Sequence, residues 1–229
     1  PGSVALFLPG ALGDVNPPVT HRPEGESLHA LGVLSGRYTD HLEAGLAKTR
    51  PLPEVFLRTV SRTVAFTRVD WSLEGIEERI REQETHLHRD GLTDDPLAGG
   101  PHPLDRAGIR MVELAGLRRL RDVMRRGGDL SHPVRLQGIR LGPVLLLGSP
   151  FEVFQATRRE IENGLPGHSV WVLSLVNGTA GYAPDPEAYR KNRYAAEFVN
   201  LMCGDLPHAC LHDELAGRLT ALGRDLVAG

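Results

Sequence analysis

A chain of 229 residues can bury about 70% of its unfolded surface and needs no disulfide to hold a core. Apolar residues at 41% and charged residues at 24% exclude a disordered, collagen-like or low-complexity polypeptide. A formal net charge of −3 argues against nucleic acid as the main partner, and the longest apolar runs (VALFL, VLLLG, WVLSLV) fall far short of the roughly 20 residues a transmembrane helix needs.

In chain order, Ser3 to Leu8 is a continuous apolar run closed by Pro9-Gly10, which predicts a strand covered on both faces. Leu31, Leu34, Tyr38, Leu42 and Leu46 recur at three- and four-residue spacing and predict a helix with one apolar stripe, ending before Pro51. From Val55 to Phe66 the period becomes two, with Val60, Val64 and Phe66 on one side, as in a strand with one wet face. Ser72 reads as the N-cap of a charged helix reaching His88. Gly91 to Pro103 is dense in turn residues and predicts a lid or an insertion. A second amphipathic helix buries Ile109, Val112, Leu117, Leu120 and Met124 and stops at Gly127-Gly128.

Two strands follow, Val134 to Ile139 and Val144 to Leu147, then a helix opened by Pro150 and closed by Gly164. Val170 to Val176 is the next strand. The tail after Pro207 is helical, with Leu211, Leu215, Leu219, Leu222 and Leu226 on one side. There is no internal repeat and no clear linker. The alternation predicts one domain of α/β (or α+β) class, a layered fold with a largely buried mixed sheet flanked by helices.

Three of the most apolar strands run directly into chemically unusual loops: VALFL into PGALGDVNP, VLLLG into SPFEVF, and WVLSLV into NGTAGYAP. If these strands are parallel neighbours, the loops converge where open α/β sheets bind ligands, and Asp14, Asn16, Glu152, Asn177 and Tyr182 line one pocket. Gly10 and Gly13 would let the backbone approach a ligand closely. PGALGD matches neither a P-loop nor a dinucleotide fingerprint, and a tight structural turn is the alternative. Chance matches would leave the three loops apart in space.

The same loops resemble the neutral/alkaline (non-lysosomal) ceramidase-like hydrolases. Gly13-Asp14-Val15-Asn16-Pro17 resembles that family's G-D-V-S-P motif, SPFEVF its P-G-E segment, and GYAPDPEAYRKNRY its G-Y-x-x-x-P-E-x-Y tract ending in a second tyrosine. The order and the intervening content, including RTVSRTVAF, also agree, so the similarity spans most of the chain. It implies the C-terminal portion of a catalytic domain, a zinc cofactor held by Glu152 and Tyr182, and Tyr194 placed to polarise the scissile carbonyl of a linear amide or ester. Asp14 and Asn16 fall on the water and substrate side, and Gly13, Asn177 and Gly181 on the substrate wall. Without a metal, Glu152 reads as a first-turn helix carboxylate and Tyr182 as a loop aromatic.

Two departures from the family pattern matter. The family's zinc-binding histidines precede its G-D-V-S-P motif, so two histidines must come from an upstream segment or a second chain. The family's serine is here Asn16, which has no hydroxyl to act as a nucleophile, and this sets ceramide itself aside as the expected substrate. The chain opens at Pro1-Gly2 without a methionine, which reads as a cut or mature end. The expectation is a soluble bacterial hydrolase, cytoplasmic or secreted, acting on a small-molecule or lipid-like substrate. The competing reading is a non-catalytic binding domain that keeps the fold.

Other groups have plainer readings. His86 and His88 near Glu82 and Asp90 point in different directions from a charged helix end. Cys203, His208, Cys210 and His212 are dense but irregularly spaced for a metal. Arg118, Arg119, Arg121, Arg125 and Arg126 suit the negative end of their helix. Asn177-Gly178-Thr179 is formally a glycosylation acceptor but sits where a pocket turn is expected.

Overall fold

The computed structural model describes residues 4–18, 22–52, 56–89, 106–191 and 193–228. The turn-rich stretch from 91 to 103 lies outside the described residues, as do Ser3, Val55 and Asp90.

A mixed four-stranded sheet forms the centre. Its strands are β1 (Leu57–Val64), β2 (Val134–Leu141), β3 (Val144–Gly148) and β5 (Ser169–Leu173), in the order β1-β2-β3-β5. The first three pair antiparallel, whereas β3 and β5 run parallel from Val144↔Ser169 to Gly148↔Leu173. A parallel pair needs a crossover. Here it is α4 (Gln155–Asn163), preceded by the two-residue strand β4 (Glu152–Val153). β4 pairs in parallel with β6 (Tyr182–Ala183), a short second ladder beyond the end of the main sheet.

The terminal helix α7 (Leu211–Ala228) covers one face of the sheet. Leu211, Leu215, Leu219, Leu222 and Leu226 are all buried against Leu136, Leu145, Leu147, Val170 and Val172, as their spacing predicts. A second core joins α2 (Leu73–Arg89) to α3 (Arg106–Arg125) and α6 (Val199–Met202) through Ile76, Ile80, Leu114, Leu117, Leu120 and Leu201. The alternation of strands and helices therefore yields the layered α/β architecture.

Several boundaries differ from the sequence reading. The apolar run before Pro9 is not a strand over its described residues: Val4, Leu6 and Phe7 are about four-fifths exposed and pair with no other strand. The helix α1 (Glu24–Leu46) forms, but it has no buried residue, and Leu31, Tyr38, Leu42 and Leu46 face outward. Periodicity shows that a helix has an apolar side, not that anything covers it. Pro150 does not open α4. Its place is in the bend that joins β3 to β4, and the helix begins at Gln155. β5 stops at Leu173, because Leu175 takes a left-handed conformation, φ 57°, that leaves the ladder. On α3 the buried positions are Leu114, Leu117 and Leu120, whereas Val112 is exposed.

The N-cap of α2 is present as expected. The Gly75 amide donates to Ser72 Oγ at 3.1 Å, satisfying one of the orphan donors of the first turn. Ser72→Ala should lower stability by about 1 kcal/mol in urea unfolding, with the slope unchanged; an unchanged midpoint would show the cap to be idle.

Candidate functional site

The segment from Ser149 to Gln155 is bonded on both sides to the other two loops. On one side it meets the glycine loop: the Gly13 amide donates to the Val153 carbonyl at 2.9 Å, and the Gln155 amide to Asp14 Oδ1 at 2.9 Å. The Gln155 side chain also donates to the Ala11 carbonyl. On the other side, Glu152 N–H donates to Gly181 O at 2.8 Å, Phe154 N–H to Ala183 O at 3.3 Å, and Ala180 N–H to Pro150 O at 2.8 Å. The end of β5 closes the group, since Ser174 N–H donates to Pro9 O and Ser174 Oγ accepts from Val153 N–H, both at 3.0 Å. All three loops thus meet beyond the carboxyl ends of the parallel strands.

This meeting depends on Gly13. A Cβ there would lie 2.6 Å from Phe154 Cδ1 and closer still to the Glu152 carbonyl oxygen. The glycine therefore serves close backbone approach, with the Glu152 segment as its neighbour.

Glu152 and Tyr182 are opposite one another in the β4/β6 ladder, and the Tyr182 hydroxyl is close enough to the Glu152 carboxylate to favour its charged form. Burial pushes the Glu152 carboxyl above its ordinary value, against the opposing effect of the Tyr182 hydroxyl, and no cation among the described residues acts on it. Burial also raises the Tyr182 phenol, helped by the charge of Glu152 and by Tyr194. Both groups hold their protons more tightly than in water.

Tyr194 comes from a different element, the π-helical turn Tyr194–Phe198 that precedes α6. Its ring lies 6.0 Å from Tyr182 and 5.7 Å from Phe198, while Tyr182 is 6.3 Å from Phe154. Four aromatic rings thus form a row from Phe154 through Tyr182 and Tyr194 to Phe198, buried at both ends, which fixes the Tyr182 ring and leaves Tyr194 half exposed. A π-turn places residues four apart along a wider helix, and such turns concentrate at functional sites.

Of the residues expected from sequence, Gly13, Asp14, Glu152, Gly181 and Tyr182 are brought together, with Tyr194 beside them. Asp14 has a structural task, accepting the first amide of α4. Asn16 continues the same loop, exposed. Asn177 turns the other way: at φ 64° its side-chain amide donates to Gln137 Oε1 at 3.3 Å. Phe154, Phe198 and Ser174 were missed. The four-residue spacing of Tyr194 and Phe198 was the available signal for one of them.

The other clusters disperse. His208 is buried between Phe66 and Phe151; His212 contacts Thr157 Oγ1 at 2.8 Å and Glu160 Oε2 at 2.9 Å; Cys203 and Cys210 are exposed, the latter donating to Glu214. Among the described residues no group of three or more His, Cys, Asp and Glu side chains is placed to hold a metal ion. The arginines of α3 pair across to α2, Arg118 with Glu84 at 2.8 Å and Arg125 with Glu77 at 2.5 Å. Among the described residues, no helix is long and apolar enough to cross a membrane.

No protein-family model matches the chain, and neither does any curated protein or solved structure.

Proposed function

We propose that this chain carries the carboxylate and phenol half of a zinc-dependent hydrolase site for a linear amide or ester, completed by two histidines from an upstream segment or a second chain. The observation that carries the reading is the joining of Glu152, Tyr182 and the Gly13–Asp14 turn by backbone hydrogen bonds, although more than 130 residues separate the turn from Glu152. The donor set fits the metal. Glu152 is a partly buried carboxylate with no cationic neighbour among the described residues, and the phenol of Tyr182 is a second oxygen beside it. Two oxygens are short of the four ligands zinc usually takes, which is the room the histidines would fill.

When bound, zinc would supply a water that ionises near neutral pH. The chain's own residues do the rest. Glu152 and Tyr182 hold the cation, and Phe154 and Phe198 keep the tyrosines from rotating away. Tyr194, half exposed, donates its phenolic proton to the oxygen of the carbonyl under attack, where a positioned donor is worth most as charge develops. Asn16 stands on the substrate side as a neutral amide, suited to orienting water but not to acting as a nucleophile.

The test is elemental analysis of the full-length protein and of its Glu152→Ala variant. Stoichiometric zinc in the first and its loss in the second are expected; equal zinc in both would refute the ligand role. A non-catalytic binding domain is the second reading, favoured by Asn16 in place of a hydroxyl, and metal-free full-length protein is its signature.

A further inference from the structure

A concavity of about 580 Å³ opens beside the Glu152–Tyr182 ladder, with Pro150 and Ala180 in its lining. Its polar lining comes from Thr63, Arg135, Asn177 and Thr179, and its apolar walls include Pro133 and Pro150. Thr63 and Arg135 are direct cross-strand partners in the β1/β2 register, so their side chains leave the same face of the sheet side by side. Gln137, two residues on from Arg135 and on that face, accepts from the Asn177 side chain and ties the far wall to the sheet. Asn177 at φ 64° and Gly178 at φ 140° hold that wall in a conformation unusual for a side-chain-bearing residue.

The charge in this pocket is unspent. Arg62, Arg79, Arg118, Arg125, Arg158 and Arg193 each sit on a carboxylate. Arg135 is exposed and has neither an ion pair nor a hydrogen bond among the described residues. We propose that the pocket lined by Arg135, Thr63, Asn177 and Thr179 binds the carboxylate end of a small ligand with a short apolar stem. One guanidinium presents a planar fork that matches a carboxylate bidentately. The remaining donors are neutral hydroxyl and amide groups, so the pocket balances one negative charge, not two. The proline rings give the stem an apolar wall without further charge.

The position ties this pocket to the proposed reaction, and the substrate class that follows rests on that hydrolase reading. Pro150 and Ala180 each precede Glu152 and Tyr182 by two residues, and the Ala180 amide donates to the Pro150 carbonyl at 2.8 Å, so pocket wall and candidate site are carried by the same two neighbouring segments. The substrate is then a linear amide or ester carrying a carboxylate a few bonds from the scissile carbonyl.

The experiment titrates the protein with hexanoate, its neutral analogue hexanamide and inorganic phosphate, followed by calorimetry or amide chemical shifts, with and without EDTA. Hexanoate should bind at least tenfold more tightly than hexanamide, and Arg135→Gln should weaken it about tenfold or more while hexanamide stays unchanged, as the loss of a charge-assisted pair requires. EDTA should have no effect. Equal binding of hexanoate and hexanamide, indifference to Arg135→Gln, loss of binding in EDTA, or tighter binding of phosphate than of hexanoate would each overturn the assignment. Because the readout needs neither zinc nor turnover, a Glu152→Ala variant with wild-type zinc content would remove the hydrolase reading and leave the carboxylate pocket standing.

Discussion

Gly116→Ala should destabilise the protein by about 3 kcal/mol or more, against a helix-propensity gain of roughly 1 kcal/mol that the same change gives at an unhindered site. Gly116 lies inside α3 where α6 ends on it. A Cβ at that position would sit 2.7 Å from the Met202 carbonyl oxygen and even nearer that of Leu201. Both obstacles are backbone, so no rotamer change relieves them, and the two helices must separate. Leu114, Leu117, Leu120 and Leu201 share that interface and would lose contact together. α6 continues directly from the π-helical turn, so the displacement would reach Tyr194 as well. Urea unfolding of Gly116→Ala beside the exposed control Ala115→Ser measures the difference. A midpoint at or above wild type would mean that the helices yield freely and that close packing here is unimportant.

The second large effect is acid lability centred on His208. Its imidazole is 3% exposed, edge-on to Phe66 and Phe151 at centroid distances of 6.0 and 5.4 Å, and neither ring nitrogen has a partner. Burial, reinforced by the nearby Arg68, lowers its pKa from 6.5 to about 3. The unfolded chain therefore takes up a proton below pH 6.5 that the folded chain refuses until about pH 3. Stability from this group is complete above pH 6.5 and drains away as the pH falls, by an amount on the order of 4 kcal/mol near pH 3.5. Glu113 and Glu152 act in the opposite sense, because burial raises both carboxyls and the folded state keeps their protons longer.

The contribution of His208 is isolated by difference. His208→Leu, of similar volume, should be neutral or slightly stabilising at pH 7, since an unpartnered buried donor costs about 1 to 3 kcal/mol, and should unfold over a narrower acid range. Parallel pH profiles for the two proteins would assign the acid loss to other groups.

How much of this was legible beforehand depended on what each pattern encodes. The leucines of α7, at 211, 215, 219, 222 and 226, point to one side by helical geometry alone, and all five are buried. Ser72 capped α2 because a cap bond reaches only three residues. The run before Pro9 failed for the opposite reason. Five apolar residues indicate a segment suited to burial, but strand pairing is non-local, and here no described strand pairs with the outer edge of β5 while Val4, Leu6 and Phe7 stay exposed. Pro150 misled in the same way: proline suits a first helical turn, yet its carbonyl is taken by Ala180, which draws the segment into the β4/β6 ladder and delays α4 to Gln155.

The candidate site divides along the same line. Glu152, Tyr182 and Tyr194 were identifiable as residues, each by its neighbours in a short motif. Arg135 and Thr63 were not, because nothing near them in sequence marks them; they face one pocket only through the β1/β2 register and the left-handed turn at Asn177. By itself, then, the sequence determined the α/β alternation, the amphipathic core helix and the identity of the candidate residues Glu152, Tyr182 and Tyr194. Those depend on residue type and on spacings within a few residues. Only the tertiary structure decided that the Gly13 turn closes on Val153, that Glu152 faces Tyr182, and that Arg135 has no ion pair among the described residues. Each of these is set by hydrogen bonds or by register between segments far apart in the chain, where local propensity carries no information.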